Sequence, residues 1–133
     1  MKRTIILSVF IGIILSGCSK ESPDPIVPPT PDPDIKISLI YPANEAKIPF
    51  QADTGLKVLI TDKLSLHEYT VRISDSQDST VYYTEGHTHT AEFYFVDSWV
   101  NTAAPGEILN LTIRASNHKG DILERKFKFF SEL

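Results

Sequence analysis

The histidines are the residues of this sequence whose type and spacing point to chemistry. His87 and His89 are two positions apart in a stretch with strand-like alternation, so their side chains project from one face with Cα atoms about 6.6 Å apart. Neutral imidazole nitrogens bind borderline metals such as zinc or copper at roughly 2.0–2.2 Å. This pair therefore predicts a candidate zinc or copper site.

The other two histidines, His67 and His118, fall where turns are expected. If successive strands reverse direction, the turns after the second, fourth and sixth strands all lie at one end of the fold. We therefore expect all four imidazoles to gather at that end. Glu85 or Asp121 would complete the ligand shell there.

A structural role for the histidine pair is the alternative. Ala91, Phe93 and Phe95 share the alternation of His87 and His89 and would lie on the same face. The two imidazoles would then cap the core where it meets water, hydrogen-bonded to loop backbone. Both interpretations place the pair at the end of a strand.

Catalytic motifs are missing from the sequence. It has no Gly-x-Ser-x-Gly elbow, no His-Glu-x-x-His pair and no phosphate-binding glycine loop. Its carboxylates are scattered over turns and outer faces, where solvation is the default. We therefore expect the protein not to be an enzyme.

Aromatic side chains suggest a possible contact surface. Tyr82 and Tyr94 fall on the predicted outer phase of their strands, and Trp99 lies nearby in a predicted loop. Such rings commonly anchor protein or carbohydrate contacts. The alternative is that Trp99 fills one end of the core and the tyrosines cover a sheet edge.

Period-two alternation of apolar and polar residues predicts an all-β fold. Seven short strands separated by turn residues, with no helical periodicity, indicate an antiparallel β-sandwich. The predicted strands are 36–41, 56–61, 68–74, 80–84, 87–95, 109–116 and 122–130, with a possible short edge piece at 48–50. Glu85-Gly86 is predicted to turn the chain, and residues 35–133 are expected to form one domain.

The start of the chain has the layout of a secretory signal, with Lys2 and Arg3 before an apolar run that is too short to span a membrane. Leu15-Ser16-Gly17-Cys18 resembles the lipobox of bacterial lipoproteins. This resemblance implies cleavage after a signal peptide of residues 1–17 and acylation of Cys18 with chains such as palmitate. Residues 18–34, rich in proline, are expected to form an extended tether.

Charge limits the partners of the mature chain. The sequence has 13 basic and 17 acidic residues, and loss of Lys2 and Arg3 leaves 11 against 17, a net charge of −6. This balance argues against a nucleic-acid partner, which requires a clustered basic surface. The membrane is therefore expected to be contacted through the lipid and not through a basic patch.

A second resemblance lies near the C-terminus. Ala104-Pro105-Gly106-Glu107 and the strand and turn from Leu109 to Asp121 resemble a hairpin of immunoglobulin-like modules in bacterial surface proteins. With the lipobox and the tether, the layout is similar to small immunoglobulin-like lipoproteins of the Bacteroidota. The resemblance implies a monomeric binding or interaction module, lipid-anchored in the outer membrane on its periplasmic face or at the cell surface, with an unknown envelope protein or glycan as ligand. Envelope metal binding is the alternative function.

Overall fold

A computed structural model describes residues 34–133, which form eight β-strands. No helix in this part of the chain is long and apolar enough to cross a membrane. The strands are β1 (Lys36–Tyr41), β2 (Lys47–Pro49), β3 (Asp53–Thr61), β4 (Leu66–Ser74), β5 (Thr80–His87), β6 (Glu92–Val100), β7 (Ile108–Asn117) and β8 (Ile122–Glu132).

The strands form two packed sheets. A three-stranded sheet has the order β1-β3-β6, and a five-stranded sheet has the order β2-β8-β7-β4-β5. This arrangement confirms the predicted immunoglobulin-like β-sandwich. One pair departs from the antiparallel expectation, since the short edge strand β2 runs parallel to β8. Pro49 is tolerated there because it is the last residue of an edge strand.

Apolar side chains of alternating strand positions form the core between the sheets. In β3 and β7 the predicted inward residues are all buried, which confirms the alternation that defined those strands. Burying each large aliphatic or aromatic side chain contributes about 1.5–3 kcal/mol. The largest fully buried apolar side chains are those of Leu56, Val58, Ile60, Leu66, Val71, Ile73, Leu109, Leu111, Ile113 and Phe129.

The boundary between β5 and β6 differs from the prediction. Gly86 does not turn the chain, because it lies inside β5 and pairs with Tyr69 of β4. The phenol of Tyr69 occupies the space that a side chain at position 86 would need. The strand predicted from His87 to Phe95 is accordingly broken: His87 ends β5, and residues 88–91 connect it to β6.

One end of the sandwich is held by the buried amide of Asn101. Its Nδ2 lies 3.0 Å from the carbonyl oxygen of Ile48 and 2.9 Å from Ser131 Oγ, while its Oδ1 accepts the backbone N–H of Ala103 at 3.1 Å. These bonds join the segment after β6 to strands β2 and β8. The side chain is fully buried and fully paired, as a polar group in a core must be.

The two ends of the described chain lie at opposite ends of the sandwich. Asp34 forms an ion pair of 2.6 Å with Lys63 in the turn between β3 and β4. β8 runs away from that turn, and Glu132 near its end pairs with Pro49 of β2. The first residues of the domain are therefore close to the start of β4.

Candidate metal centre

The structure brings the four histidines together at one end of the sandwich. They come from three separate parts of the chain: His67 is the second residue of β4, His87 ends β5, His89 follows in the connection to β6, and His118 lies in the turn between β7 and β8. His67 was expected in a turn, and its place in β4 is a correction of one or two residues. The β3–β4 and β5–β6 connections, which cross between the sheets, and the β7–β8 hairpin all lie at this end, which is why residues far apart in sequence converge.

The imidazole rings lie within contact distance of one another. Ring centroids are 4.2 Å apart for His67 and His87, 4.5 Å for His67 and His118, and 4.8 Å for His87 and His89. His89 and His118 are stacked at 5.0 Å with an interplanar angle of 11°. The rings therefore form one continuous cluster.

A hydrogen bond joins two of these rings directly. His89 Nδ1 and His118 Nε2 are 2.9 Å apart, and one nitrogen donates a proton to the lone pair of the other. A metal ion that binds these two nitrogens needs the lone pair of each, so the shared proton must move to the other nitrogen of its own ring. Metal binding through these two nitrogens is consequently expected to break the hydrogen bond between the rings.

Backbone hydrogen bonds fix the segments that carry the cluster. The N–H of Leu66 donates to Thr90 at 2.9 Å, and the N–H of Thr88 donates to His67 at 2.9 Å. The N–H of His118 donates to Ser65 at 3.4 Å. Since these bonds tie the β5–β6 connection and the β7–β8 turn to the start of β4, the rings are held close before any ion binds.

A carboxylate that the sequence analysis missed, Glu68, borders the cluster. Glu68 lies opposite His87 in the pairing of β4 with β5, so both side chains project from the same face. Glu68 Oε1 is 4.0 Å from His87 Nδ1, and one ligand atom each from His67, Glu68 and His87 lie within 4.8 Å of one another. The alternation of β4 was enough to predict that Glu68 points outward. Its contact with His87 depends on the register of β4 with β5, which the sequence did not reveal.

The two carboxylates proposed from sequence are engaged elsewhere. Glu85 accepts a hydrogen bond from the Tyr83 hydroxyl at 2.5 Å, and Asp121 accepts one from Asn117 Nδ2 at 3.0 Å. Neither belongs to the compact group formed by His67, Glu68 and His87. Glu68 therefore takes the place in the candidate ligand set that we expected for them.

Proximity within the cluster affects the proton equilibrium of His118. Loss of solvation is the main cause that lowers its pKa below the ordinary value for histidine, and the nearby charges of His67, His89 and His87 add to the effect. A lowered pKa favours the neutral imidazole, which is the form that binds metal. His118 is thus a competent ligand at neutral pH.

Comparison with known proteins identifies no family. No protein-family model and no curated protein match the chain. CopC from Methylosinus trichosporium OB3b is 17% identical with a TM-score of 0.45, over 73% of this chain and 94% of that one. A CARDB domain from Pyrococcus furiosus, in complex with di-metal ions, is 11% identical with a TM-score of 0.45, over 74% and 88%. Spo0M, a sporulation control protein from Bacillus subtilis, is 8% identical with a TM-score of 0.47, over 75% and 49%. Likenesses at these TM-scores carry no argument about function.

The aromatic residues proposed as a binding surface are separated by the structure. Trp99 lies in β6 and not in a loop, is only 3% exposed, and stacks at 6.3 Å from Phe129 in the core. Trp99 is therefore not part of the proposed surface. The loop expected around it is absent because β6 continues to Val100 in its pairing with β3. Tyr94 remains exposed on the outer face of the three-stranded sheet, where Lys57 Nζ lies 5.3 Å from its ring centroid.

Tyr82 is also placed differently from the prediction. It lies opposite Ile73, so it has the inward phase of β5 and packs partly against the core. Its hydroxyl donates to Asp97 Oδ2 of β6 at 2.6 Å and links the two sheets at their open side. Burial and then this bond raise the pKa of Tyr82, while the bond lowers the pKa of Asp97. Tyr82 is therefore a bridge between sheets.

The predicted lipidation site lies outside the described residues. Cys18, the signal peptide of residues 1–17 and the tether up to residue 33 all precede the part of the chain that the structure describes. Their roles stay predictions from the sequence.

Proposed function

We propose that the protein binds a single transition-metal ion of the zinc or copper type through its histidine cluster. The observation that carries this proposal is the convergence of all four histidines of the chain, from three separate segments, on one end of the sandwich. In this proposal the protein acts by binding a ligand and not by catalysis.

The ring spacing supports one shared ion. Four imidazoles bound tetrahedrally at about 2.05 Å place their ring centroids about 3.2 Å from the ion and about 5.2 Å from each other. Five of the six histidine pairs have centroid distances from 4.2 to 6.1 Å, which bracket that value. The ring spacing is thus compatible with one shared ion, and His67 and His87, with Glu68, already have ligand atoms within 4.8 Å of one another.

The donor types support a borderline metal. The cluster offers imidazole nitrogens and the carboxylate of Glu68, and residues 34–133 contain no cysteine or methionine. Nitrogen and oxygen donors suit Zn²⁺ and Cu²⁺, whereas Cu⁺ prefers sulfur ligands. We therefore expect divalent ions to bind more tightly than Cu⁺.

Thermal unfolding with added Zn²⁺ or Cu²⁺ tests this function. An ion at a hundred times its dissociation constant stabilises the folded state by about 2.7 kcal/mol, which corresponds to a rise in Tm of roughly 11–22 °C for a domain of about 100 residues. The double variant His87→Ala/His89→Ala is expected to lose this rise. Glu85→Gln, which changes a neighbouring carboxylate outside the cluster, is the control and should keep it.

Two results would contradict metal binding at this site. One is an unchanged Tm in the wild-type protein across the metal titration. The other is an equal rise in the wild type and in the histidine double variant, with circular dichroism showing that both are folded. The second result would place any bound ion elsewhere on the chain.

An interaction surface on the three-stranded sheet is a second candidate function. Tyr41, Tyr94, Val96 and Val100 are all exposed on that side of the sandwich, with Tyr94 49% exposed. Exposed aromatic and apolar groups on one face are typical of protein or glycan contacts. Capture of a partner from envelope extract that is lost with Tyr94→Ala, and kept with Tyr83→Ala on the other sheet, would support this surface. Equal capture by both variants would argue against it.

The proposed place of action is the outer membrane, with the domain held as a monomer by acylated Cys18. The support is the resemblance of Leu15-Ser16-Gly17-Cys18 to a lipobox. Cys18→Ser is expected to move the protein from the membrane fraction to the soluble fraction, because one hydrophobic anchor is removed. Retention of this variant in the membrane would refute the anchor.

A further inference from the structure

A small groove lies beside the histidine cluster on the outer face of the five-stranded sheet. It has a volume of about 130 Å³ and is lined by Glu68, Tyr69, Thr70, Arg114 and Ser116. Glu68 therefore belongs both to this groove and to the candidate ligand set with His67 and His87. A molecule in the groove would be next to a metal ion bound at the cluster.

The groove carries the guanidinium group of Arg114, which has no ion-pair partner among the residues that the structure describes. Arg114 lies opposite Thr70 in the pairing of β7 with β4, and among residues 34–133 it has no carboxylate within 4.0 Å. Glu124 lies opposite it on β8 but is paired with Lys126 at 3.4 Å. Arg114 is consequently free to bind an anion, for which a guanidinium offers two parallel donors.

The other arginine of this face shows the contrast. Arg72 donates to Asp78 Oδ1 at 2.9 Å, to the Asp78 carbonyl at 2.6 Å and to Thr80 Oγ1 at 3.0 Å. Its donors are used by the turn that follows β4. Arg72 and Arg114 both point outward, from β4 and β7. Of these two, Arg114 lies next to the histidine cluster and keeps its donors available within residues 34–133.

A hydroxyl group adds a further donor at the groove. Ser116 Oγ accepts the backbone N–H of Glu68 at 3.3 Å. Since a hydroxyl has one proton and this contact uses only its lone pair, the proton remains available for an anion. Arg114 and Ser116 thus present donors on the side of the groove away from β5.

We propose that a metal ion at the histidine cluster binds together with a small carboxylic acid, one oxygen of which adds to the four imidazole nitrogens as a fifth ligand while Arg114 and Ser116 hold the rest of the molecule. This inference rests on the proposed metal site. The groove has a volume of about 130 Å³, which suits a small ligand such as a mono- or dicarboxylate of a few atoms. The positive charge of the ion and of Arg114 offsets the carboxylates of Glu68 and Glu85 nearby.

Cobalt spectroscopy tests the inference, because the visible absorption of bound Co²⁺ changes when its ligands change. The purified protein is loaded with Co²⁺ and titrated with malonate. We expect a saturable spectral change in the wild type, and a half-saturation concentration about ten- to hundredfold higher in Arg114→Gln, since a charge-assisted bond is lost. Affinity for Co²⁺ alone should be unchanged in that variant.

The control variant is Arg72→Gln, which removes the other arginine of the same face and should respond to malonate as the wild type does. Failure of the wild type to bind Co²⁺ would refute the metal site and this inference with it. Normal Co²⁺ binding with no malonate response, or with the same response in Arg114→Gln, would overturn the inference alone. A response to inorganic phosphate at lower concentration than to malonate would also overturn it, since the ligand would then be a phosphate.

Discussion

Replacing Gly86 with alanine is expected to destabilise the protein. A Cβ atom at this position would lie 2.5 Å from Tyr69 Cζ and 2.8 Å from Tyr69 Cε1, distances that require the ring to move. The ring is not free to move, because its centroid is 4.8 Å from that of Phe93 and 5.9 Å from that of Phe95. Overpacking of this kind costs about 1–3 kcal/mol.

Two opposing effects determine how much Gly86→Ala changes the free energy of unfolding. Alanine restricts the unfolded chain and so returns about 0.4–1 kcal/mol of stability where the backbone conformation allows it. The backbone at Gly86 is not left-handed, so this gain applies in full. We therefore expect a net loss of roughly 0–2.6 kcal/mol in the free energy of unfolding, with a midpoint of about 1.3 kcal/mol, and Tm falls by about 4–8 °C per kcal/mol.

Urea denaturation of the wild type and four variants checks the reasoning. Gly55→Ala is the control, because its Cβ would lie 3.6 Å from Tyr41 Cε1, an ordinary contact, and it should be neutral or stabilising. In a Tyr69→Leu background, which removes the clashing phenol, the cost of Gly86→Ala should largely disappear. The same effect of Gly86→Ala on stability with Tyr69 and with Leu at position 69 would refute the clash.

Two further predictions concern a buried amide and a histidine. Asn101→Leu leaves the carbonyl of Ile48, Ser131 Oγ and the N–H of Ala103 without this partner. We therefore expect the free energy of unfolding in urea to fall by about 2–4 kcal/mol. A fall below about 1 kcal/mol would contradict the role of this amide. The pKa of His118 is lower in the folded than in the unfolded protein. The unfolded state therefore takes up its proton first as the pH drops. The free energy of unfolding consequently falls below about pH 6.5, toward the pKa of the folded state. Urea midpoints from pH 8 to pH 5, with a chelator present, should fall less steeply in His118→Gln; parallel profiles would contradict this contribution.

Local alternation was sufficient to predict most of the fold. The inward residues of β3 and β7 follow a strict period of two, and each strand is long enough for the pattern to be unambiguous. The pattern failed where the backbone departs from regular geometry. Alternation places Tyr41 on the same face as Ile37 and Leu39, but a register shift between Leu39 and Tyr41 turns its ring to the surface.

The histidines of the candidate site were predicted from the sequence, but its carboxylate was not. Reversal of successive strands was enough to place His67, His87, His89 and His118 at one end, because it depends only on strand order. Glu68 was missed because its contact with His87 depends on how β4 and β5 are aligned, and that alignment followed from Gly86 lying inside β5. Because Glu85-Gly86 was interpreted as a turn, the register of β4 with β5 was not predicted, and neither was the contact of Glu68 with His87.

The position of the chain ends decides how the protein should be purified for metal studies. Asp34 is held by Lys63 in the turn that leads into β4, while the last strand finishes at the far end next to Pro49. A polyhistidine affinity tag fused shortly before Ile35 would add six competing imidazoles beside the cluster. The same tag after Leu133 would emerge on the opposite side, so a C-terminal or cleavable tag gives the cleaner measurement.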